Sequence, residues 1–173
     1  MFVSGGGVTL LDNEISGNSA KNGGVFYVSN GNISTQTSEI TGNSASADGG
    51  VFFVNTGNIY LGKGSGNNQN YDVNLSGNNA VNGGAIALYN GVFSLSDNSF
   101  IINNTATGNG GGLYVVNDED EAQKTISCTG GEFSQNSAKF GGGIYANGDI
   151  VLTFAANVIE NSANNGGGLY IDG

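Results

Sequence analysis

Residues 75–86 read Leu75-Ser76-Gly77-Asn78-Asn79-Ala80-Val81-Asn82-Gly83-Gly84-Ala85-Ile86. The stretch holds two short elements, an apolar-x-x-Asn tetrad and a glycine pair that leads into an apolar segment. Both recur. The tetrad appears at Ile15-Asn18, Ile40-Asn43, Leu75-Asn78, Ile101-Asn104, Phe133-Asn136 and Val158-Asn161. Glycine pairs follow at Gly23-Gly24, Gly49-Gly50, Gly83-Gly84, Gly110-Gly111, Gly141-Gly142 and Gly166-Gly167. Successive pairs lie 26, 34, 27, 31 and 25 residues apart, so the chain repeats a unit of about 25 residues with insertions in the second and fourth intervals.

Each unit reads as three short strands. The first follows the glycines, as in Val25-Phe26-Tyr27-Val28, and the second follows a Gly or Asn turn, as in Ile59-Tyr60-Leu61. The third carries the tetrad. Short strands that repeat at this period are explained by a coil that stacks on itself, with equivalent residues about 4.8 Å apart in columns. Two first-strand columns are wholly apolar: Met1, Phe26, Phe52, Ile86, Leu113, Ile144, Leu169, and Val3, Val28, Val54, Leu88, Val115, Ala146, Ile171. The second strand gives Val8, Ile33, Ile59, Phe93, Ile126, Ile150, then Leu10, Thr35, Leu61, Leu95, Cys128, Leu152, with Thr9, Ser34, Ser94 and Ser127 among the residues between them. Such alternation marks half-buried strands. The expected fold is all-β, a right-handed parallel β-helix of about six coils with uncapped ends, one segment over 1–173 of a longer solenoid, with insertions near 62–72 and 117–122.

Composition agrees and removes much chemistry. The chain of 173 residues has 32 Gly, no Pro and no His, and all four basic residues are lysines, Lys21, Lys63, Lys124 and Lys139. Without His there is no imidazole base and no Ser/His/Asp triad, and a lone Cys128 supplies neither a disulfide framework nor a thiolate metal cluster. A net charge of −10 with no Arg argues against nucleic acid as a partner. The sequence offers no run long and apolar enough for a membrane helix and no secretion signal, so no membrane insertion by this segment is expected.

The motifs resemble those of the polymorphic outer membrane proteins of chlamydiae, whose extracellular passenger domains repeat Gly-Gly-Ala-Ile and Phe-x-x-Asn. Gly83-Gly84-Ala85-Ile86 matches the first, and Phe133-Ser134-Gln135-Asn136 and Phe100-Ile101-Ile102-Asn103 match the second. The resemblance implies an autotransporter passenger that acts as a non-catalytic adhesin at the cell surface, outer-membrane-associated through parts not in this chain. From the residues themselves no cofactor is expected.

The repeated asparagines form one column and are expected to pass hydrogen bonds from coil to coil at a turn. The glycine pairs read as positive-φ turns. Between the inward columns of the first strand lies an outward one, Phe2, Tyr27, Phe53, Ala87, Tyr114, Tyr145, Tyr170, aromatic at all but one position. It would run roughly 29 Å along the axis and is the candidate binding stripe for a protein or glycan on another cell surface, with ring-on-ring stabilisation of the sheet as its structural reading. Asp118, Glu119, Asp120 and Glu121 lack calcium-loop spacing, and Gly62-Lys63-Gly64-Ser65-Gly66 lacks the strand-to-helix context of a phosphate loop. Cys128 belongs to a core column. Sequons stand at Asn32, Asn74 and Asn103.

Two further function classes are open to such a coil. Copies stacking end to end would build an extracellular filament. A polysaccharide-cleaving enzyme would need Arg, His or paired carboxylates, and no carboxylate pair is expected in adjacent coils of a core-strand column, so no turnover on pectin-like glycans is expected.

Overall fold

The computed structural model describes residues 1–62, 72–116 and 124–173. Both insertions, with the acidic run and the lysine-containing glycine loop, fall largely outside those residues. The described chain is a parallel β-helix in which every strand pair is parallel. In the third to sixth rungs the first face is built by Phe52–Thr56, Ile86–Asn90, Leu113–Val116 and Ile144–Asn147, and Leu169–Asp172 begins the next turn. The second face is built by Ile59–Leu61, Phe93–Leu95, Lys124–Cys128 and Ile150–Phe154, and the third by Val73–Ser76, Ser99–Ile102, Glu132–Ser134 and Asn157–Ile159. In the first two rungs all three faces run as one bent strand, Phe2–Ser16 and Phe26–Thr41.

A fourth face, unforeseen in the spacing, follows each ladder asparagine: Ser19–Ala20, Ser44–Ala45, Asn79–Ala80, Thr105–Ala106, Ser137–Phe140 and Ser162–Asn165. These strands form a separate six-stranded sheet. A small inward residue recurs here, and Ala45, Ala80 and Ala106 are all buried. Two paired residues per rung give too little periodicity to distinguish a strand from a turn in sequence.

The core is the set of inward columns. Phe52, Ile86, Leu113 and Ile144 stack on the first face, Ile33, Ile59 and Phe93 on the second, and Ile40, Leu75, Ile101 and Phe133 on the third, all fully buried. Each such side chain removed from water contributes about 1.5–3 kcal/mol. One column is corrected. In the sixth rung Leu152, not Ile150, pairs with Ile126, and Phe154, not Leu152, pairs with Cys128. A shift of two residues keeps every apolar side chain on the core side, so alternation alone does not fix this register. Phe154 gains a ring contact to Phe133 at 6.2 Å.

The asparagine column is a continuous ladder. Each Oδ1 from Asn43 onward accepts both the backbone N–H and the Nδ2 of the preceding rung's asparagine. The Asn78 pair of bonds to Asn104 Oδ1 measures 3.0 and 2.9 Å, and the Asn104 pair to Asn136 measures 2.9 and 3.0 Å. The remaining Nδ2 proton goes to a backbone carbonyl of the rung before, as from Asn104 to Leu75 O at 2.9 Å. Asn43, Asn104 and Asn136 are wholly buried, and their amides are satisfied. The family-like tetrad Phe100–Asn103 is one residue out of phase with this ladder. Asn104 occupies the rung, while Asn103 takes φ 56° at the turn and Phe100 is only half-buried.

The two glycines of each pair do different work. Gly49 has φ 68°, and a Cβ there would strike the Phe52 carbonyl; Gly50 has ordinary φ but lies against the Gly84 carbonyl of the next rung. A further left-handed position precedes each ladder asparagine. Gly17, Gly42 and Gly77 fill it in the first three rungs, and Asn103, Gln135 and Glu160 fill it at φ 54–56° in the rest.

Single substitutions test the ladder and this turn. Asn104→Ala strands two buried donors of Asn78 and is expected to lower unfolding free energy by about 2–5 kcal/mol in urea titration, against less than about 1 kcal/mol for Asn18→Ala at the exposed first rung. Gly42→Ala meets open space, so its expected cost of about 1–2 kcal/mol is conformational alone. Gln135→Gly, which relieves the same backbone strain, should leave stability unchanged or raise it by up to about 1 kcal/mol.

Candidate functional site

The register brings the outward column of the first face together as expected. Phe2 pairs with Tyr27, Tyr27 with Phe53, Phe53 with Ala87, Ala87 with Tyr114, Tyr114 with Tyr145, and Tyr145 with Tyr170. Ring centroids stand 5.5 Å apart for Phe2 and Tyr27, 4.9 Å for Tyr27 and Phe53, 5.3 Å for Tyr114 and Tyr145, and 5.4 Å for Tyr145 and Tyr170. Interplanar angles of 27°, 22°, 17° and 7° make all four contacts face-to-face stacks.

Two aromatic members were not in the sequence column. Tyr89, two residues beyond Ala87 on the same side of the strand, fills the gap with centroids 5.2 Å from Phe53 and 6.0 Å from Tyr114. Its hydroxyl donates to Asp48 Oδ2 at 2.8 Å, and Asp48 Oδ1 accepts from Asn82 Nδ2 at 2.9 Å. Phe140, from the fourth face, closes on Tyr170 at 5.3 Å, and Lys139 Nζ lies 5.3 Å from the Phe140 ring centroid. The missing ring at Ala87 was the available signal for Tyr89, since a small residue in an aromatic column leaves space that a neighbour must occupy. Phe140 carries no such signal, because its face pairs over too few residues per rung for alternation to show.

This geometry changes what the stripe can offer. Phe53 is 8 % and Tyr145 9 % exposed, whereas Phe2 at the first rung is 64 % exposed. Rings stacked on one another have their faces occupied and present edges and hydroxyls outward, so contact is made through phenol hydrogen bonds and ring edges more than by facial stacking. Burial raises the Tyr89 phenol pKa well above its usual 10.0, reinforced by the Asp48 hydrogen bond and charge. Burial also raises Tyr114, aided by Tyr145 and Asp48, and Tyr145, aided by Asp172 and Tyr170. Cys128, fully buried in its core column, is pushed up to about 12 by desolvation.

On the third face an open groove of about 420 Å³ is lined by Asp12, Glu14, Glu39, Asp72, Asn74 and Phe100, among others. Here Glu14 and Glu39 are direct neighbours in adjacent rungs, which corrects the expectation that no carboxylate pair shares a column. The lining contains four carboxylates and no lysine. Among the described residues no group of three His, Cys, Asp or Glu side chains is placed to hold a metal ion. Of the sequons, Asn32 uses its Oδ1 to accept the Asn58 N–H at 2.9 Å, and the Oδ1 of Asn74 is buried without a partner.

The described residues define a parallel β-helical repeat protein whose outer columns carry the aromatic stripe and the acidic groove. The family model for the Chlamydia polymorphic membrane protein (Chlamydia_PMP) repeat matches residues 98–116 and 130–147. Those residues thus carry the chlamydial polymorphic membrane protein repeat, from the third face of the fourth rung into the first face of the fifth and again from the fifth into the sixth. The repeat is that of surface-associated, autotransporter-like proteins of the outer membrane. No curated protein and no solved structure matches the chain.

The raised pKa values fix a pH dependence. Ionised Cys128 and ionised stripe tyrosines are disfavoured in the fold, so the unfolded chain ionises first and unfolding releases protons as pH rises. The corresponding stability is fully present below pH 9.0. It is lost through Cys128 between 9.0 and about 12, and through the tyrosines from 10.0 upward. The urea midpoint should fall steadily above pH 9, with the native thiol unreactive toward a disulfide reagent at pH 8; a midpoint flat to pH 11 would contradict both assignments.

Proposed function

We propose that the chain is one rigid segment of a longer surface-displayed solenoid and serves as a non-catalytic adhesin, contacting a protein or glycan on another cell surface. The observation that carries this reading is the repeat match, which belongs to a family of surface proteins. A rod with an unbroken run of rings on one face, from Phe2 to Tyr170, supports it. Tyrosine is the residue most suited to such contact, since a rigid ring loses little side-chain entropy and its hydroxyl finds partners in a wet interface. Tyr27, Tyr114 and Tyr170 are partly exposed and are the contacts we assign.

The polarity of the asparagine ladder favours end-to-end assembly as a second reading. Every ladder Oδ1 from Asn43 onward accepts from the preceding rung, so copies stacked head to tail would continue the ladder in one direction. Sedimentation separates the two readings, since a chain that stays monomeric at high concentration removes the filament.

The adhesin reading is tested by titrating fluorescently tagged chain onto cultured epithelial cells. Saturable binding is expected, reduced about tenfold, or ~1.4 kcal/mol, by the double substitution Tyr27→Ser and Tyr170→Ser. Loss of binding after protease treatment of the cells identifies a protein partner, and loss after glycosidase treatment a glycan. Binding that is absent, or unchanged by the double substitution in a folded variant, contradicts the assignment of the stripe.

A further inference from the structure

We propose that Tyr114, Tyr145 and Tyr170 form a site of oxidative tyrosine–tyrosine cross-linking, at which a one-electron oxidant of the peroxidase and hydrogen peroxide class joins successive rungs covalently. The inference rests on placement and does not depend on the adhesin reading. These tyrosines are register partners on three consecutive passes of the first face. Their rings are held 5.3 and 5.4 Å apart at 17° and 7°, so each phenol has another phenol as its permanent neighbour. Tethering of that kind replaces a bimolecular encounter with an intramolecular one.

The chemistry balances within the pair and its oxidant. Each phenol loses one electron and its O–H proton to become a phenoxyl radical, with spin density on the ring carbons beside the oxygen. One such carbon from each ring forms the new C–C bond. Each coupled carbon then gives up its hydrogen as a proton while the phenol O–H is restored, so the pair surrenders two electrons and two protons overall. Hydrogen peroxide takes up both and leaves as two waters. Coupling requires the stacked rings to turn about their side-chain bonds until two of those carbons meet, on a backbone that already holds the pair in register.

Access does not have to be direct at each ring. Tyr145 is 9 % exposed, but Tyr114 and Tyr170 on either side are more open and touch it. A radical formed at either neighbour passes to Tyr145 by electron exchange over that contact. Tyr89 is a further entry point. Its hydroxyl proton has the Asp48 carboxylate waiting at 2.8 Å, and its ring lies 6.0 Å from that of Tyr114. Tyr27 is the built-in control, because its ring neighbours are Phe2 and Phe53, which offer no phenol to couple with.

The test is limited oxidation of dilute folded chain with horseradish peroxidase and hydrogen peroxide, followed by peptide mapping. The expected products are monomeric on a denaturing gel, show the blue fluorescence of dityrosine, and contain Tyr145 linked to Tyr114 or Tyr170, with Tyr27 unlinked. Tyr145→Phe should remove both links at least tenfold while circular dichroism shows the fold retained, and Tyr114→Phe should leave the link between 145 and 170. Chain unfolded in urea should lose the selectivity. Links found only between chains, Tyr27 linked as often as Tyr145, or oxidation of the stripe without any dityrosine would each overturn the proposal.

Discussion

The asparagine ladder is the constraint on which the remainder of the fold depends. A buried primary amide must place two donors and one carbonyl, and isolated in a core it would cost several kcal/mol. Here each amide completes its bonding only if another asparagine sits one rung away in the same orientation, as Asn78 does with Asn104 and Asn104 with Asn136. A slip of one rung residue would break two bonds at each step and leave their donors buried. Apolar columns tolerate a shift of two residues, which keeps the same kind of side chain on the core side, as the pairing of Leu152 rather than Ile150 with Ile126 illustrates. The hydrophobic columns thus contribute most of the stabilising energy, and the ladder selects the register in which that energy is gained.

That division explains which parts of the molecule were legible in the sequence. The tetrads and glycine pairs recur at fixed offsets because each meets a geometric demand that few residues satisfy, so spacing alone identified the solenoid, the ladder and the first-face columns. The fourth face was not legible, since Ser44–Ala45 and its equivalents are too short for alternation to show. The tetrad Phe100–Asn103 resembles the family motif more closely than Ile101–Asn104 does, yet only Asn104 has the ladder partners. Which of two adjacent asparagines enters the ladder is decided by the hydrogen bonds on either side.

The stripe was legible as a set of residues but not as a surface. Alternation places Phe53 and Tyr145 outside, and both face outward from the sheet, yet their neighbours leave them nearly buried. The cause is stacking at rung spacing, which covers each ring with the next, together with Tyr89 and Phe140 entering from positions outside the column. Tyr89 joins two systems, since it bridges Phe53 to Tyr114 and ties the first face to the turn at Asp48. Outward residues of a solenoid are therefore best read as columns with neighbours on both sides.

The account is tested most directly by solution NMR of the folded chain. It requires contacts from Phe52 to Ile86 and from Ile86 to Leu113, together with a measurable hydrogen-bond coupling between the Asn78 amide nitrogen and the side-chain carbonyl carbon of Asn104. Nuclear Overhauser contacts at these pairs, with that coupling present, are the predicted result. A folded spectrum in which Ile86 is adjacent to neither Phe52 nor Leu113, or in which the Asn78 amide exchanges freely with water, would contradict the stacked register and with it the stripe and the ladder.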